Sequence, residues 1–144
     1  MSTNAKSAVY NVIPFKQVGP LKFGMSRTEV LAVLGEFDRE EKTYIGSIEE
    51  IRKNISTKYK NDKLIEVSFL PGVKLEFEGY FLLKQKGIDY LLTNFQHSSD
   101  LGFTVFPTLG LAFTGFGKSK DAKTVSVFNK ATLKIYLKAM SNTK

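Results

Sequence analysis

Residues 22–38 read KFGMSRTEVLAVLGEFD, a segment bracketed by Gly24-Met25 at one end and Gly35 near the other. Ser26 is a good helix N-cap, and Glu29 three residues later completes a capping box. Met25 before the cap and Val30 four residues after it have the spacing of a hydrophobic staple. Val30, Val33 and Leu34 fall on one helical face, and Gly35 suits a left-handed C-terminal cap. The helix so defined has only about two and a half turns, too few to stand alone in water. It must be pinned to a sheet.

The chain downstream supplies strands. Ile55, Thr57 and Tyr59 alternate with Ser56, Lys58 and Lys60; Ile65, Val67 and Phe69 alternate with Glu66 and Ser68; Val73, Leu75 and Phe77 alternate with Lys74, Glu76 and Glu78. Period two marks half-buried strands. Asn61-Asp62-Lys63 and Pro71-Gly72 read as the turns between them, which predicts a three-stranded antiparallel meander. Before the helix, residues 1–10 read as a loose arm. Ile13, Phe15 and Val18 could form a short edge element, because Pro14 and Pro20 exclude a helix. Residues 36–50 read as a charged loop. Gly87 reads as a break, followed by a second short helix carrying Ile88, Leu91, Leu92 and Phe95 and a loop at residues 97–100. Leu109, Leu111 and Phe113 mark a strand softened by Gly110, Gly115 and Gly117, and Val125 and Val127 mark a last one. Leu133, Tyr136, Leu137 and Met140 share a face of a closing helix flanked by Lys130, Lys134 and Lys138. The expectation is one domain over residues 1–144 of α+β class, an antiparallel sheet with short helices on one face. Residues 11–79 hold the first helix and the meander, and residues 80–144 the second helix, two strands and the closing helix. A weak repeat of helix, polar loop and hairpin begins at residue 24 and again at residue 87.

Composition narrows the chemistry. The 144 residues carry a net charge of +7, one histidine and no cysteine. Thiolate nucleophiles, disulfides and cysteine metal sites are excluded. The sole histidine sits in Gln96-His97-Ser98-Ser99-Asp100, five consecutive residues that read as a polar turn; a catalytic triad needs groups converging from separate elements. Gly117-Lys118-Ser119 lacks the earlier glycine of a phosphate-binding loop, Ala112 standing in its place. No cofactor, no metal and no catalytic residue is expected, so the chain does not read as an enzyme. No apolar run reaches membrane length, and the N-terminal residues lack the apolar core of a signal peptide, which reads as a cytoplasmic protein.

Charge is uneven along the chain: residues 118–144 sum to +6, whereas residues 36–50 sum to −4. The basic excess allows nucleic-acid binding, although eighteen of the cationic residues are lysine and only three are arginine, the poorer composition for bidentate phosphate and base contacts.

The Gly24-Met25-Ser26, Glu29-Val30, Leu34-Gly35 pattern resembles the half-repeats of β-lactamase-inhibitor proteins and of the small outer-membrane assembly lipoprotein. There the Gly-Met turn starts a short helix packed on an antiparallel sheet. Over a longer span, IPFKQVGPLKFGMSRTEVLAVLG, an acidic segment, VKLEFEG, Leu109-Gly110-Leu111 and Val125-Ser126-Val127-Phe128 resemble small bacterial immunity proteins of the contact-dependent growth-inhibition and polymorphic-toxin type. Two features depart from that family's pattern: the chain extends beyond the last strand, and it is basic overall. The resemblance implies an antitoxin that binds the C-terminal domain of a cognate toxin, a nuclease being the commonest kind, through protein–protein contact alone. Two surfaces are open to that role. One is the acidic segment, with Glu36, Asp38, Glu40, Glu41, Glu49 and Glu50 around Tyr44 and Ile45. The other is the basic face of Lys130, Lys134 and Lys138.

Overall fold

The computed structural model describes residues 8–43, 46–100, 102–114 and 124–141. Among these residues two sheets and three helices make up the α+β fold. Strands β1 (Val9–Ile13), β2 (Gln17–Val18) and β3 (Leu21–Lys22) lead into helix α1 (Arg27–Leu34). A four-stranded meander follows: β4 (Arg39–Lys42), β5 (Ile48–Ile51), β6 (Ile55–Lys60) and β7 (Lys63–Phe69). The order then recurs. Strands β8 (Lys74–Phe77) and β9 (Tyr80–Phe81) precede helix α2 (Gln85–Asn94), and a second meander follows. Its strands are β10 (Ser98–Asp100), β11 (Phe103–Phe106), β12 (Leu111–Thr114) and β13 (Thr124–Phe128). Helix α3 (Lys130–Ser141) comes last.

The two meanders join into one eight-stranded sheet of order β10-β11-β12-β13-β7-β6-β5-β4. The final strands of the two halves lie antiparallel at its centre, with Ser68 opposite Ser126 and their hydroxyls 2.8 Å apart. Those serines are 58 residues apart, the same offset that separates the first residues of α1 and α2. The repeat suspected from residues 24 and 87 is therefore a helix plus four strands, related about an axis near these serines. The smaller sheet has order β3-β2-β1-β8-β9, with β1 wedged between the two halves.

Several expectations need correction. Val9 and Tyr10, expected in the loose arm, open β1, and Tyr10 is buried. The meander of three strands is two: β6 pairs β7, but β8 leaves for the other sheet and runs parallel to β1. Both edges of β7 are already occupied, by β6 and β13, and the turn at Gly72, with φ +107°, redirects the chain. The charged segment of residues 36–50 is mostly the β4–β5 hairpin, and residues 98–100 are an edge strand. Gly87 lies inside α2. A Cβ there would sit 2.1 Å from the Phe81 carbonyl oxygen, so glycine permits the close seating of α2 on β9. The softened strand end at Gly115–Lys123 lies outside the described residues.

Helix α1 is built as its sequence dictates. Ser26 Oγ accepts from the Glu29 amide at 3.1 Å, and Glu29 Oε1 accepts from the Ser26 amide at 2.9 Å. The preceding turn is stitched to β7: the Gly24 amide donates to the Leu64 carbonyl, and the Leu64 amide to the Met25 carbonyl. Only Val30 is fully buried, however. Leu34 is partly buried against the core, and Val33 is 44% exposed.

The large sheet has an inner and an outer face. Inward residues of both halves, among them Tyr59, Val67, Phe69, Leu111, Phe113 and Val127, form the main core with Val30, Ile88 and Leu91. On the outer face α3 covers the second half and reaches β7 of the first through Tyr136 and Glu66. Leu133, Tyr136 and Met140 pack on Phe103, Val105, Ala112 and Phe128, with Tyr136 stacked on Phe128 at 4.6 Å. Leu137, expected on the packed face, is exposed. In the first half the equivalent positions, Ile51 and Ser56, are half-buried. Ile51 and Ser56 take the places there of Val105 and Ala112, in the continuous row Arg39-Ile51-Ser56-Ser68-Ser126-Ala112-Val105-Ser98.

Candidate partner-binding surface

The β4–β5 hairpin places like charges opposite each other, Glu40 against Glu50 and Glu41 against Glu49. Such pairs are destabilising in isolation, and three arginines offset them. On the inner side Glu50 is 2% exposed. Its Oε2 accepts from Arg27 Nε at 2.8 Å, and its Oε1 accepts from the Tyr59 hydroxyl at 3.0 Å and lies 3.5 Å from Arg52 Nη2. Arg27 also pairs with Glu40. Arg52 reaches the Gly35 carbonyl with Nε and Nη2, at 3.1 and 2.8 Å. A cation at the last carbonyls of a helix complements its dipole. Glu50 thus clamps α1 at both ends, through Arg27 from its first turn and Arg52 at its C-terminus. That polar clamp explains how a helix burying one valine stays in place.

Burial pushes the Tyr59 hydroxyl up to about 12, and its bond to Glu50 adds in the same direction. The bonds to Glu50 raise Arg27 above its ordinary value. On the outer face Tyr136 donates to Glu66 Oε2 at 2.6 Å, and Lys58 Nζ lies 3.5 Å from Glu66 Oε1. Burial, then the adjacent Glu66 carboxylate, raises Tyr136 above the ordinary tyrosine range.

The sequence-predicted site residues therefore divide. Glu36, Asp38, Glu40 and Glu41 are exposed along the link after α1 and the edge strand β4. Asp38 is held by its amide bond to the Ile51 carbonyl at 2.8 Å, and Glu41 pairs with Arg39 at 2.9 Å. Glu49 is half-buried on the outer face, between Glu41 and Lys58 in the strand register. Glu50 is a structural carboxylate of the clamp, beyond the reach of a partner. Tyr44 and Ile45 lie outside the described residues. Arg27 and Arg52 join the segment from either side and bring its balance from −4 to −2.

Lys130, Lys134 and Lys138 are exposed along α3, with Lys130 Nζ 5.1 Å from the Phe15 ring centre. His97 Nδ1 bonds the Phe95 carbonyl oxygen at 3.0 Å, and Ser99 Oγ bonds Thr104 Oγ1 at 2.9 Å, so His97 and Ser99 turn to different partners. Among the described residues no three metal-ligating side chains cluster, and no helix is long and apolar enough to cross a membrane. The clamp escaped sequence reading, although one signal was present: Thr57 and Tyr59 place hydroxyls at inward strand positions, where a buried polar group needs a partner.

Compared with family models, curated proteins and solved structures, the chain matches none of them.

Proposed function

We propose that the chain is a cytoplasmic bacterial immunity protein, an antitoxin that binds one cognate toxin domain stoichiometrically and blocks it by contact. The observation that carries this reading is the rigid acidic edge. Glu36 and Asp38 are exposed on the link after α1, and Glu40 and Glu41 on the edge strand of a hairpin whose base is locked to the core through Glu50. Carboxylates held on a fixed scaffold lose little entropy on binding and steer a cationic partner. The substrate groove of a nuclease is such a partner, since it must hold phosphates. Charged edges also discourage strand addition, so the hairpin can meet a partner side-on without aggregating. The resemblance of the Gly24–Gly35 unit and its following strands to immunity proteins supports the same reading.

The test is co-expression with the toxin domain encoded beside its gene. Restored growth and a one-to-one complex on a sizing column support the proposal. The lysine row of α3 favours a second reading, a basic nucleic-acid-binding module. Absent protection, together with binding of random RNA that falls steeply with salt, would establish that reading instead.

A further inference from the structure

A groove of about 280 Å³ lies far in sequence from the acidic hairpin, between the β7–β8 turn and the chain from β9 into α2. Pro71, Val73, Phe81 and Leu83 line it with apolar surface, and Lys74 and Lys84 stand at the same wall. Two observations define its chemistry. Phe81 is 42% exposed although its neighbour Leu82 is fully buried, so a large aromatic ring is presented outward. Lys74 and Lys84 are both exposed, and neither forms an ion pair among the described residues. Glu76, opposite Phe81 in the β8–β9 register, places one carboxylate nearby. The turn at Gly72 and the tight seating of α2 through Gly87 fix both sides of the groove. A small apolar concavity can seat one side chain, and two cations without a carboxylate partner select an occupant of opposite sign.

We propose that this groove is a second docking site, for a segment of a partner protein with a large apolar side chain flanked by carboxylates. The apolar side chain lies on Phe81 and Leu83, and the carboxylates meet Lys74 and Lys84. Such a site would give the chain a contact independent of the acidic hairpin, and of opposite polarity.

The test uses the full chain and three blocked pentapeptides: Asp-Glu-Phe-Leu-Asp, its lysine counterpart Lys-Lys-Phe-Leu-Lys, and Asp-Glu-Ser-Ser-Asp. Amide shifts are mapped by NMR. The acidic apolar peptide is expected to perturb Val73, Lys74, Phe81 and Lys84, saturating with a Kd on the order of 1 mM. The other two should bind at least about ten-fold more weakly. In a K74E/K84E variant with native spectral dispersion, the preference should reverse towards the lysine peptide. Perturbations absent at these residues, equal binding of the acidic and lysine peptides, or an unchanged preference in the variant would each overturn the proposal.

Discussion

Replacing Glu50 by alanine should unfold the clamp on α1 without touching the exposed acids. The substitution strands Arg27 Nε, Arg52 and the Tyr59 hydroxyl, which now converge on one carboxylate at 2.8, 3.5 and 3.0 Å. Breaking a buried pair by removing one partner costs about 3–5 kcal/mol. Arg27 keeps 31% of its side chain exposed and can turn to water, whereas Arg52, at 9%, cannot. The lower part of that range, about 3 kcal/mol, is therefore expected. For a chain of this length it should lower Tm by roughly 6–12 °C. Glu50→Gln preserves shape and the acceptor for Tyr59 and should cost about 1–2 kcal/mol. Glu41→Ala, in an exposed pair, should stay within about 1 kcal/mol. Thermal and urea unfolding followed by circular dichroism read all three. A Glu50→Ala protein melting within about 2 °C of the parent would refute the clamp.

Three further outcomes follow from the packing. Gly87→Ala puts a methyl 2.1 Å from the Phe81 carbonyl oxygen; the forced shift of α2 should cost about 1–3 kcal/mol, read by urea unfolding. On α1, Val30→Ala should cost about 2–3 kcal/mol and Val33→Ala less than about 0.5, where equal burial on one face would give equal costs. The third concerns pH. The folded state holds Tyr59 at about 12 against an ordinary 10.0, so its stabilisation is complete below pH 10 and is lost as pH rises towards 12. That loss is about 2–3 kcal/mol, and urea midpoints in Tyr59→Phe should fall less over this interval.

Local signals carried the fold a long way. The capping box, the Gly24 turn and the alternation in β6, β7, β12 and β13 were all legible, because each depends on neighbours within a few residues. The destination of β8 was not. Nothing in Lys74–Phe77 distinguishes pairing with β7 from pairing with β1; the choice follows from β13 occupying β7, a contact some sixty residues away in sequence. The hairpin reads as a loop because its strands oppose glutamates, and Arg27 and Arg52, distant from β4 in sequence or in the strand order, make the Glu40–Glu50 pairing tolerable. The burial of Glu50 was hidden for the same reason. Leu137 and Val33 satisfied helical periodicity yet face outward, since short helices contact the sheet along a narrow line.

The acidic-edge assignment is tested most directly by association rates with the cognate toxin domain at two salt concentrations. Three proteins are compared: the parent, Glu36→Lys with Glu41→Lys, and Lys134→Glu with Lys138→Glu. All substituted side chains are exposed, so folding should survive. The account predicts association slowed at least about ten-fold by the first pair, most strongly at low salt, with the second pair near the parent rate. An unchanged rate for the first pair, with strong slowing by the second, would contradict it.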